Sequence, residues 1–97
     1  MNNNDPYRDQ IDEMWPHIVD LYHTYKHLKP IIEFDITNQK IYSYPAKEYI
    51  QQLTPRTREA MQKHYQETIQ NNQFILFVKD YDNEKLRSYT FGYTRVD

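Results

Sequence analysis

The chain has no cysteine and a single glycine, Gly92, among its 97 residues. Without cysteine there is no disulfide framework, no thiol nucleophile and no thiolate metal ligand, a composition that fits a reducing compartment. With one glycine, the Gly-rich loops that cradle nucleotide phosphates are excluded. Excess charge of one sign is missing too. The formal net charge is -2, whereas general nucleic-acid binders carry a basic stripe. The longest purely apolar run, Phe74 to Val78, is far short of a membrane span. The first residues, MNNNDPYRD, show neither a basic segment nor an apolar one, so no signal peptide is expected. A cytoplasmic chain with no membrane partner is the reading.

What is abundant is tyrosine, ten residues of it. A tyrosine buries a ring and keeps a polar tip, which suits half-buried positions and interfaces. The composition, 38% hydrophobic and 27% charged, is globular, while a mean hydropathy of -1.03 leans polar. The length predicts one domain, 1–97, able to bury roughly two-thirds of its unfolded surface. Residues 1–4 are expected to be a frayed tail.

Residues 73 to 94 organise the rest. They are rich in β-branched and aromatic residues and fold back around Asp82-Asn83-Glu84-Lys85, which predicts a β-hairpin. An even loop sets Asp80 opposite Arg87, Val78 opposite Tyr89, Leu76 opposite Phe91 and Phe74 opposite Tyr93. One face is then Phe74, Leu76, Val78, Tyr89, Phe91 and Tyr93, the predicted core. Before it, Asp5-Pro6 caps a helix whose stripe of Ile11, Met14, Ile18, Leu21, Tyr25 and Leu28 runs to about Leu28, with Pro16 inside it. Residues 31 to 36 and 41 to 44 predict another hairpin, with Ile36 opposite Ile41, Phe34 opposite Ser43, Asp35 opposite Tyr42 and Glu33 opposite Tyr44. Pro45 opens a short helix. Thr54-Pro55 starts a longer one, to about Gln70, and Asn71-Asn72 supplies a left-handed stop. Nothing repeats at high fidelity, yet helix–hairpin–helix–hairpin suggests two loosely equivalent halves. The expected fold is α+β, an antiparallel sheet of about four strands in the order α-β-β-α-α-β-β, with helices mainly on one face.

Catalytic grammar is thin. Glu33 with Asp35, and Asp80 with Asp82, project in pairs from strands, but neither pair comes with a nucleophile, and Ser43 and Ser88 occupy no nucleophile elbow. No enzyme activity and no cofactor are expected. Asp20, His23 and His27 fall along one side of the first helix, and the histidine spacing can bring two imidazoles and a carboxylate to one divalent ion. The same residues also suit a solvated helix face. Arg87 to Tyr93 faintly echoes the aromatic strand of an RNA-recognition motif, but element order and glycine placement both fail.

The expected function is a small non-enzymatic interaction or regulatory module. It binds a protein partner, or a second copy of itself, through the sheet's other face. Tyr42, Tyr44, Phe77, Tyr81, Glu33 and Asp35 are the candidate contacts, because tyrosines and a few aliphatics with a polar rim resemble binding surfaces. A helix, or Tyr49 and Leu53, folding over that face is the competing arrangement. The alternative function is nucleic-acid binding by the basic cluster Lys47, Arg56, Arg58 and Lys63. A metal protein built on the first helix comes third.

Overall fold

The computed structural model describes residues 5–92. Its order is α1 (Arg8–Thr24), a 3-10 turn (Lys26–Leu28), β1 (Pro30–Asp35), β2 (Lys40–Pro45), α2 (Ala46–Gln51), α3 (Pro55–Gln70), β3 (Gln73–Asp80) and β4 (Lys85–Gly92). This is the expected α+β sequence of elements. The local signals explain most boundaries. The Thr54 hydroxyl accepts from the Thr57 amide, with Pro55 in the first turn of α3. Asn72 closes that helix in the left-handed region, φ 57°. Asp5 acts differently from a direct cap: its Oδ1 accepts from the Tyr7 amide at 2.9 Å, and the helix starts at Arg8.

The sheet is mixed, not wholly antiparallel. Its strands lie in the order β2-β1-β3-β4, and the central pair β1 and β3 run parallel. The first half is one helix followed by a hairpin, the second two helices followed by a hairpin. The helices occupy both faces, which corrects the one-sided expectation. On the first face α1 packs through Ile11, Trp15, Ile18 and Tyr22 against Ile32, Phe34, Phe74, Leu76, Val78 and Phe91. On the second, α2 and α3 bring Ala46 and Ile50, flanked by Tyr49, Met61 and Tyr65, onto Ile31, Ile75 and Phe77. Strands buried on both faces read as near-continuous apolar runs, and Phe74 to Val78 is such a run.

Both hairpins sit two residues off the expected register. Phe74 pairs with Phe91, Leu76 with Tyr89 and Asp80 with Lys85; Phe34 pairs with Ile41, Glu33 with Tyr42 and Asp35 with Lys40. A shift of two preserves which side chains share a face, so the core set holds. Tyr93, assigned opposite Phe74, lies outside the described residues, as do residues 1–4. The cause is a turn device used twice. Asp35 accepts from the Asn38 amide (3.1 Å) and side chain (3.0 Å), and Gln39 follows at φ 58°. Asp80 accepts from the Asn83 amide (3.2 Å) and side chain (2.7 Å), and Glu84 follows at φ 53°. Side-chain capping of this kind tightens the turn and fixes its length.

These caps set an acid response. The Asn38 amide group beside Asp35, and Asn83 with Tyr7 beside Asp80, hold both carboxyls below the ordinary carboxylate range. A folded-state value below the unfolded one means the unfolded chain takes up protons first on acidification. The stabilisation is therefore present above about pH 4 and is lost as the pH falls through the folded values. In urea titrations across that window, an Asn38→Ala/Asn83→Ala variant should be less stable at neutral pH and lose less on acidification. An unchanged acid slope would show that the caps do not set it.

Candidate functional site

The second face is covered unevenly. In β2, alternation sends Ile41 toward α1 and sends Tyr42 and Tyr44 to the opposite side. There α2 begins directly after Pro45 and lays Tyr49 over Phe77, rings stacked at 5.6 Å and 15°. Tyr44 adjoins Tyr49 (5.7 Å between ring centroids) and Tyr42 adjoins Tyr44 (6.2 Å). Beneath the rings the buried Glu33 presents Oε2 to two donors: the Tyr49 hydroxyl at 2.8 Å and Lys79 Nζ at 3.1 Å. A carboxylate taken out of water needs such partners, and here one ion pair and one hydroxyl supply them.

Lys79 joins two clefts. One of about 300 Å3 is lined by Glu33, Tyr44, Pro45, Glu48, Tyr49, Gln52 and Lys79. The other, of about 250 Å3, runs past Lys79 between Tyr81 and Leu86. Tyr42, Tyr44, Tyr81 and Leu86 are exposed, Tyr81 and Leu86 to 57% and 58%. Tyr81 stands where its backbone amide donates to the Thr37 hydroxyl at 2.9 Å, tying the two hairpin turns together. Burial lowers the Lys79 ammonium's proton affinity, but the hydrogen bond and charge of Glu33 more than reverse this, so its pKa is raised. Burial, then Glu33, pushes the phenols of Tyr49 and Tyr44 up. At neutral pH these hydroxyls keep their protons and can donate.

Of the six expected contact residues, the structure groups Tyr42, Tyr44, Tyr81 and Glu33 around this ion pair. Phe77 is removed from the surface, because Tyr49 and α2 lie on it and leave it 6% exposed. Asp35 is removed as well, its carboxylate being occupied by Asn38 and buried at the strand end. Lys79 belongs to the site and is not among the expected contacts; Tyr49, expected only in the competing arrangement as a cover of this face, lies over Phe77 and completes the site. The strand alternation of Lys79 with Phe77 was a usable signal. For Tyr49 the signal was its place on the apolar side of the short helix.

The basic cluster is divided. The Arg58 guanidinium donates to the carbonyls of Gln51 (3.2 Å) and Leu53 (3.0 Å), capping the end of α2. Arg56 is exposed at the start of α3, while Lys47 and Lys63 line a separate cavity. The histidine pair loses its helical spacing: α1 ends at Thr24, and His27 sits in the following 3-10 turn, away from the ladder that carries Asp20 and His23. Among the described residues no group of three His, Cys, Asp or Glu side chains is placed to hold a metal ion. None of their helices is long and apolar enough to cross a membrane.

No protein-family model matches the sequence, and no curated protein or solved structure is significantly similar to it.

Proposed function

We propose that the chain is a non-enzymatic interaction module that binds a protein partner through Tyr42, Tyr44, Tyr81 and Leu86, arranged around the Glu33–Lys79 pair. The observation that supports this most is the contrast within one sheet face. Helices α2 and α3 bury its centre, while two tyrosines along the edge strand β2, and a tyrosine and a leucine at the β3–β4 turn, stay exposed beside two clefts. Tyrosine brings large contact area with few torsions to freeze, so it contributes binding energy at low entropic cost. Tyr44 is also placed before any encounter, by its contact with the Tyr49 ring, whose hydroxyl donates to Glu33, and by the strand pairing of β2.

The test is a paired one. A Tyr44→Ser/Tyr81→Ser variant should stay folded and unfold within about 2 kcal/mol of wild type, since Tyr81 stands in solvent and Tyr44 loses only its ring contacts with Tyr42 and Tyr49. It should lose more than about tenfold in affinity for whatever the wild-type chain captures from its native lysate, or for itself if sedimentation shows a dimer. Equal capture and equal mass for a folded variant would remove the surface from consideration.

A further inference from the structure

A further cavity lies elsewhere, where the 3-10 turn after α1 meets α2 and α3. It is an open concavity of about 650 Å3, within the range of small-molecule sites. Its cationic lining comes from three separate elements: Lys29 from the end of the turn, Lys47 from α2 and Lys63 from α3, with the His27 imidazole beside them. Among the described residues neither Lys29, Lys47 nor Lys63 forms an ion pair. Glu59 lines the same cavity one turn before Lys63 and does not pair with it either. In a chain whose net charge is -2, three lysines lining one concavity against one carboxylate are a local reversal of sign. A lining of this sign attracts an anion.

The rest of the lining is not that of a polyanion track. Ile50 is buried at the wall, Leu28 is 43% exposed beside the opening, and Gln51, Gln62 and Gln66 supply amide groups. The wall is braced, because the Tyr65 hydroxyl donates to the Lys29 carbonyl at 3.2 Å and ties α3 to the turn. Lys29 itself is held in the left-handed region at φ 50°. A lysine there is uncommon, and the backbone conformation ends the turn and starts β1.

We infer that this cavity is a binding site for a small organic anion, a carboxylate or a phosphate monoester carrying a compact apolar body. The lysines take the charged group. Leu28 and Ile50 contact the body, and the glutamine amides bond its polar edge. A nucleic acid is a poorer fit, because Arg56 and Arg58 do not line the cavity and Arg58 is committed to backbone carbonyls. The inference is independent of the tyrosine surface, which shares no residue with this cavity.

Amide chemical-shift titration of the full chain decides it, with inorganic phosphate, a nucleoside monophosphate and benzoate as probes. At least one organic probe should give saturable shifts at Lys29, Lys47 and Lys63 with Kd below about 1 mM. Binding should weaken as salt is added. Which organic probe saturates distinguishes phosphate from carboxylate as the recognised group. A Lys47→Gln/Lys63→Gln variant should stay folded, since both side chains are exposed, and should lose at least about tenfold in affinity. Three results would each overturn the proposal: no saturation by any probe, equal binding by the double variant, or inorganic phosphate binding as tightly as the organic anions.

Discussion

Leu76→Ala should cost about 3–5 kcal/mol in urea unfolding, and Phe91→Ala a similar amount. Leu76 is fully buried in the middle of β3, paired with Ile32 of β1 and Tyr89 of β4 and facing the α1 layer. A deletion there leaves a void that neither neighbouring strand can close, since both are held in the ladder. Phe91 closes the same layer from β4. Its ring meets Trp15 edge-on at 5.0 Å, and Trp15 in turn lies over Phe74. For a domain whose whole stability is about 5–15 kcal/mol, either loss is a large fraction. Losses below about 1 kcal/mol at both positions would mean that the hairpin faces the other way.

Phe77→Ser comes second in size, at about 3–5 kcal/mol of lost stability. Phe77 lies on the other side of the same strand. It is stacked under Tyr49 and grouped with Ile31, Ala46, Ile50 and Ile75, the seam that fixes α2 and α3 to the sheet. Serine would leave a cavity and bring a hydroxyl into an apolar setting. Tyr81→Ser, a few residues along the chain at an exposed turn, should change stability by no more than about 0.5 kcal/mol. Thermal unfolding of the two variants side by side checks the layering of the second face. If Phe77→Ser melts with wild type, α2 is not seated on the sheet.

Element order was legible because its punctuation is local. Thr54-Pro55, Asn71-Asn72 and the polar turns each act through bonds to their immediate neighbours. The face assignment of Phe74, Leu76, Val78 and Phe91 was legible because strand alternation survives a register shift of two. The register itself was not, since it depends on Asp80 bonding to Asn83 and Asp35 to Asn38, and alternation is indifferent to an even slip. On α1 the stripe through Met14, Leu21, Tyr25 and Leu28 is turned by one position. Trp15 and Tyr22 are the buried residues beside Ile11 and Ile18, because their rings reach Phe74 and Phe91 across the layer. Tyr25 and Leu28 stay exposed because the α-helix ends at Thr24.

The parallel pairing of β1 with β3 is a tertiary choice with no local marker. Its trace was the unbroken apolar run Phe74 to Val78, which reads equally as a strand with one untidy face. Half of the candidate site was visible as Tyr42, Tyr44 and Tyr81 sharing a face with Glu33. Its foundation was not, since Lys79 reaches Glu33 across that parallel pair and Tyr49 reaches it from a helix.

Hydrogen–deuterium exchange of the chain alone and with its captured partner tests the proposed surface most directly. New protection is expected in residues 42–45 and 79–86, the segments that carry Tyr42, Tyr44, Lys79, Tyr81 and Leu86. None is expected on the outward side of α1, at Asp12, Glu13 and Asp20. Protection confined to α1, with residues 42–45 and 79–86 unchanged, would contradict the account.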